Sequence, residues 1–277
     1  MDRTMTRRVL ISTTPVVLAS GILAGLPSGV AHAGQPLDGN KAALWPGFPR
    51  QDAKLVAEVV GKSHVNEAKV KELVKAHPAL VNAWWDWGFG DWESPLGAAS
   101  HVGRRGIAEF LLEQGARIDI FAAAMLGYTA VVKALVTTQP GVQRTLGPHG
   151  ITLLAHAKAG GKQATDTVAY LLDLGDADVG HKVTPLPADR KDAFLGKYAS
   201  EETRLECKVN NAGRLMIVIG QAEVVVASQL LHYLGDDEFF PSGVPSVRFR
   251  FTVEGGKATA VSVRGTDLVL TAKRVGV

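Results

Sequence analysis

Apolar residues recur every three to four positions from Asp52 to Asp178, and at every second position over much of the stretch after Arg214. The chain therefore predicts helices first and strands afterwards. Val70, Leu73 and Val74 mark one helix, and Ile107, Phe110, Leu111 and Leu112 a second. Val131-Val132 with Leu135-Val136 mark a third, and Val168 with Tyr170-Leu171-Leu172 a fourth. In the second part, Val247, Phe249, Phe251 and Val253 alternate with Arg248, Arg250 and Thr252, the pattern of a strand with one buried face. Asn210 to Gly213 and Gly255-Gly256 supply turns, and Leu268 to Lys273 gives a closing strand. Between Leu195 and Arg274 there is room for about seven or eight short strands. Pro185 and Pro187 make 181–190 a linker.

The helical part repeats itself. Its clearest unit runs Ser94-Pro95-Leu96-Gly97-Ala98-Ala99-Ser100-His101-Val102-Gly103, then Ile107, Phe110, Leu111 and Leu112, then Gly115-Ala116. Ser94 suits a helix cap and Pro95 a first turn. Ala98 and Ala99 allow close helix packing, and Gly103 suits a left-handed turn between paired helices. A second unit carries Phe121 to Gly127, and a third Gly150 to Ala157 followed by Gly160 and Gly175. Gly127 and Gly160 are 33 positions apart, whereas Gly103 and Gly127 are only 24 apart, so the connection between those two units is short. A degenerate first unit places Asn66 where the others have the turn glycine. This order of Ser-Pro-Leu, glycine and Gly-Ala resembles the ankyrin repeat, with Gly97 standing in place of the family's histidine. The resemblance implies about four stacked helix pairs over 51–180.

The strand region, 191–277, opens with Phe194-Leu195-Gly196-Lys197-Tyr198. With Leu230, Asp237-Glu238-Phe239-Phe240 and the Phe249 to Val253 strand, it resembles the small lipocalin-like β domains appended to serine beta-lactamase-like exported proteins. The expected fold class is thus multidomain α plus β: an ankyrin-type α-helical solenoid followed by a small antiparallel β-barrel or sandwich. A filled barrel core and a small apolar ligand within it are both open readings.

Residues 1–33 read as a cleavable export signal. Arg7-Arg8 precede an apolar stretch from Val9 to Val30, and Ala31-His32-Ala33 offers small residues for cleavage. Thr6-Arg7-Arg8-Val9-Leu10 resembles a twin-arginine signal. Glycines and prolines interrupt the apolar run, which argues against a permanent membrane span. The expected location is exported, periplasmic or extracellular, with 34–50 as a linker.

Charge narrows the partners. The formal net charge is +3, and the leader holds Arg3, Arg7 and Arg8 against Asp2. Removing that net +2 leaves about +1, too little for strong attraction to nucleic acid. The single cysteine, Cys207, makes no internal disulfide. No His-Glu-x-x-His, Cys-x-x-Cys or calcium loop appears, nor a nucleophile elbow. Gly160-Gly161-Lys162-Gln163 lacks the upstream glycine and the hydroxyl residue of a phosphate loop. His149 and His156 do not have metal-pair spacing, and each histidine is expected to be a loop-bonding or surface residue. No metal ligand, cofactor or catalytic residue is expected.

Four of the five tryptophans fall within 84–92, between the first two helix pairs. The resemblance places this segment in a finger that carries recognition. Candidate binding residues are Trp84, Trp85, Asp86, Trp87, Phe89, Asp91 and Trp92, joined by His101 and Arg105; ring-on-ring packing is the competing reading for the tryptophans. The expected function is an extracytoplasmic scaffold that binds a protein partner and has no activity of its own. The alternative is a lipid- or sugar-binding protein, or a hydrolase-like enzyme using the β domain or the Asp86/His101 face.

Overall fold

Five of the eight α-helices described in the first half begin where a short polar side chain takes up a free N–H group. Asp52 caps α1 (Ala53–Ser63) and Asn66 caps α2 (Glu67–Ala76). A two-stranded finger follows, β1 (Trp85–Asp86) paired with β2 (Trp92–Glu93). Ser94 then caps α3 (Pro95–His101) through the Gly97 amide, ahead of α4 (Arg105–Glu113). Asp119 caps α5 (Ile120–Met125), which leads to α6 (Thr129–Thr138). Thr152 caps α7 (Leu153–Ala159), and α8 (Thr165–Leu174) ends on left-handed Gly175. These elements come from a computed structural model that describes residues 51–221, 224–265 and 269–276, all within the unit Gln51–Val277. The expected leader and the 34–50 linker lie outside the described residues.

The helices pair in sequence as α1–α2, α3–α4, α5–α6 and α7–α8, and α3 packs against α1, α5 and α7. Small residues allow this closeness: Ala98, Ala99, Ala122, Ala123 and Ala124 are fully buried. Gly103 and Gly127 have φ of +71° and +74°, and a Cβ on either would stand 2.2 Å from a carbonyl oxygen, of Ala159 and Gln163 respectively. Two expected turns differ. Asn66 has φ −132° and serves as an N-cap, because its side chain accepts from the Lys69 amide. Gly160 is right-handed, with φ −69°, and the positive φ falls on Gly161. Gly160 is required by proximity instead, since a Cβ there would lie 2.0 Å from the Met125 carbonyl oxygen.

A short helix, α9 (Lys191–Phe194), enters an eight-stranded antiparallel barrel. Its strands are β3 (Gly196–Ala199), β4 (Thr203–Val209), β5 (Leu215–Gln221), β6 (Val224–Gly235), β7 (Glu238–Pro241), β8 (Arg248–Glu254), β9 (Lys257–Arg264) and β10 (Val269–Val275). Neighbours follow chain order, and β10 closes on β3. The barrel is closed, which removes the free edges a sandwich would leave. Phe194, Tyr198, Phe239, Phe249 and Phe251 pack in its core, and Phe194 stacks edge-on to Phe239 at 5.0 Å. The Tyr198 hydroxyl donates to the Phe194 carbonyl at 2.7 Å.

The finger joins the two halves. Gly88, Phe89 and Gly90 all have positive φ, and this tight turn aims Phe89 at the barrel. The Phe89 ring meets Phe249 edge-on at 5.9 Å, and Gly88 lies so close to Ala227 that a Cβ would stand 2.7 Å from that methyl group.

Candidate metal centre

Four side chains from different parts of the helical half converge beside the finger. His64 caps the C-terminal end of α1, and His101 is the last residue of α3. His149 precedes α7 in the left-handed region, φ 60°, and Glu93 ends β2. One ligand atom from each of the four lies within 4.8 Å of all the others. His101 Nε2 is 3.0 Å from both His64 Nε2 and Glu93 Oε1. His64 Nε2 is 3.5 Å from Glu93 Oε2, and His149 Nε2 is 3.5 Å from Glu93 Oε1. Ligand atoms bound about 2.1 Å from one ion stand about 3.0 Å apart when cis in an octahedron and about 3.4 Å apart in a tetrahedron. The four distances above match this spacing, and the whole set stays within 4.8 Å.

Outer hydrogen bonds fix three of the four groups. His64 Nδ1 is 3.1 Å from the Gly61 carbonyl. His149 Nδ1 is 2.6 Å from Asp91 Oδ2, and the His149 amide donates to Asp91 Oδ1 at 2.9 Å. Trp87 Nε1 donates to Glu93 Oε2 at 2.7 Å. These contacts turn the Nε2 atoms of His64 and His149 and Oε1 of the carboxylate inward, an arrangement in which a backbone carbonyl or carboxylate orients a ligating histidine. Gln229 of β6 also donates to Asp91 Oδ2, at 3.3 Å, so the barrel holds the second carboxylate. Gly243 packs on Asp91 so tightly that a Cβ would fall 2.5 Å from Oδ1.

Glu93 is fully buried, and its Oε1 receives no hydrogen bond although two imidazole nitrogens lie within 3.5 Å. A bare carboxylate oxygen in such a place costs several kcal/mol. The two nearby nitrogens are not aligned to donate to it. Burial favours the neutral acid, but His101 and His149 outweigh it and hold Glu93 down at about 2. Burial likewise opposes charge on His149, yet Asp91 and Glu93 push it up to about 9. Burial lowers His64, with Glu93 opposing. His156, completely buried next to this group, is lowered to about 4 by burial and is neutral at pH 7.

The centre opens on one side. The three histidine side chains are 21%, 10% and 24% exposed, and Glu93 is 0% exposed. The histidines line a cavity of about 570 Å³ whose far wall is the barrel, and Glu93 lies buried behind them.

The expected binding residues divide into several groups. His101 and Asp91 belong to the centre, with Trp87 bonded to its carboxylate. Phe89 docks on the barrel, and Trp85 packs on the core of the first two helix pairs. Trp84 and Trp92 remain 53% and 54% exposed. Asp86 accepts from the Gly88 and Gly90 amides and shapes the finger turn. Arg105 donates to the Met125 and Leu126 carbonyls at the end of α5. Asp86 and Arg105 therefore serve local roles. His64, Glu93 and His149 were not expected as ligands. Of these, His64 alone carried a signal, a positional one: His64 and His101 both stand at the C-terminal ends of first helices in successive pairs.

No protein-family model matches the chain, and no curated protein matches it. Among solved structures, the crystal structure of SurE with D-Leu aligns at 25% identity over 43% of this chain and 28% of that chain, with a TM-score of 0.23. So loose a superposition carries no argument about fold or function.

Proposed function

We propose that this chain is an exported metalloenzyme in which ankyrin-type helix pairs and a lipocalin-like barrel enclose one transition-metal centre acting on a small molecule. The observation that carries the reading is Glu93 Oε1, buried without a hydrogen bond and faced by His101 and His149. Three imidazoles and one carboxylate suit first-row divalent ions such as Zn²⁺, Fe²⁺ or Ni²⁺ better than Ca²⁺ or Mg²⁺. The open side favours a reactive over a purely structural site, because a structural ion is enclosed by its ligands. A bound ion would supply Lewis acidity and a more acidic coordinated water. The protein's own part is to hold the four ligands, orient His149 through Asp91, and limit solvent access with Trp87 and the barrel wall. The left-handed Gly103 and Gly127 support the ankyrin-type reading of the helices.

The test is to strip the purified protein with a chelator and titrate Zn²⁺ and Co²⁺. One equivalent per chain is expected, with visible Co²⁺ absorption, and His101→Ala should lose it. A wild-type protein that binds neither ion refutes the proposal. Exposed Trp84 and Trp92 favour a second reading, the protein-binding scaffold. A partner lost on substitution of both tryptophans by alanine, and kept by His101→Ala, would support it.

A further inference from the structure

The cavity facing the three imidazoles has an uneven distribution of charge. Arg214, directly before β5, stands exposed at its edge. Gln229 and His232 of β6 and Ser242 just beyond β7 add polar groups. His232 Nε2 and Ser242 Oγ are bonded to each other at 2.8 Å, and burial lowers the pKa of His232, which keeps that ring uncharged near neutral pH. Among the described residues no carboxylate lines the cavity, because Asp91 and Glu93 are buried behind the histidines. Trp87, Ile151 and Leu230 supply apolar surface. A neutral ligand would leave the guanidinium unused, and a cationic one would meet it with nothing to offset the repulsion.

We infer that the cavity takes a small molecule carrying one carboxylate and a compact apolar body, with the anion on the Arg214 side. A guanidinium matches a carboxylate through two parallel N–H donors. Among the described residues of the lining, Arg214 is the one cation not already paired with Asp91 or Glu93, which suits a monoanion; a phosphate dianion calls for more positive charge. The inference rests on the metal reading only for a second positive centre across the cavity.

The experiment titrates Co²⁺-loaded protein with phenylacetate, its neutral analogue phenylacetamide, and inorganic phosphate, reading both heat and the Co²⁺ spectrum. Phenylacetate should bind at least tenfold more tightly than the other two. Arg214→Gln should remove that preference and leave the Co²⁺ spectrum of the ligand-free protein unchanged. Equal binding of acid and amide, tighter binding of phosphate, or an undiminished preference in Arg214→Gln overturns the inference. If Co²⁺ does not bind, the metal reading fails, and the same calorimetric titrations on metal-free protein decide this one. An Arg214-dependent preference for phenylacetate there sustains it, and its absence overturns it.

Discussion

Glu93→Gln isolates the carboxylate at the centre. The amide has the same shape, and its oxygen can still accept the Trp87 indole N–H that now reaches Oε2 at 2.7 Å. That orientation turns the NH₂ group toward His101 and His149, where Oε1 stands 3.0 and 3.5 Å from their Nε2 atoms. A ligand lone pair is thereby replaced by a donor. Breaking a buried charge pairing costs about 3–5 kcal/mol, which is about 150- to 5,000-fold in Kd. Thermal melting reads the difference. Zn²⁺ at about 1,000 times the wild-type Kd should stabilise the folded state by about 4 kcal/mol. In a unit of this size that corresponds to about 8–16 °C in Tm, and in Glu93→Gln at the same concentration the stabilisation should fall to about 1 kcal/mol or less, a rise of about 5 °C at most. A full Zn²⁺-dependent rise in the variant, or none in the wild type, refutes the reasoning.

Gly103→Ala should destabilise the protein by about 2–5 kcal/mol, since it combines a left-handed residue with a crowded contact. Urea denaturation checks this, and a loss below about 1 kcal/mol contradicts the close approach to Ala159. Burial pushes the Cys207 thiol up to about 12, with Arg274 opposing. At pH 9 only about one native thiol in a thousand is then ionised, so iodoacetamide should label the protein quickly only after unfolding. The same burial favours the neutral thiol in the folded state. Its contribution to stability is whole below the unfolded thiol's pKa and is lost as pH rises toward 12, as alkaline denaturation curves can register.

The barrel was legible in outline because alternation survives in strands such as Arg248–Glu254, where Phe249 and Phe251 point inward. Closure was not, since a period of two says which face is buried but not whether the last strand meets the first. The cap at Ser94 followed from local chemistry alone. Asn66 was misread because a short amide serves equally as a left-handed turn residue and as an N-cap, and the tertiary setting chose the cap. The centre left no motif, because its candidate ligands at 64, 93, 101 and 149 are far apart in the chain and meet only in the folded structure. Superposing the repeat units and asking which positions repeat a histidine would have joined His64 with His101, whose rings lie 4.9 Å apart. Glu93 and His149 would have remained hidden, since the finger and the segment before α7 sit outside the repeated helices.

That spread along the chain has a mechanical meaning. An ion gripping both His64 and His149 would close a loop of 85 residues, and in the chain-entropy picture such a covalent tie is worth about 4–5 kcal/mol. A protein with one cysteine has no disulfide to draw on. Loading would then act as its staple, and a protease should distinguish the loaded form from the stripped one long before any substrate is known.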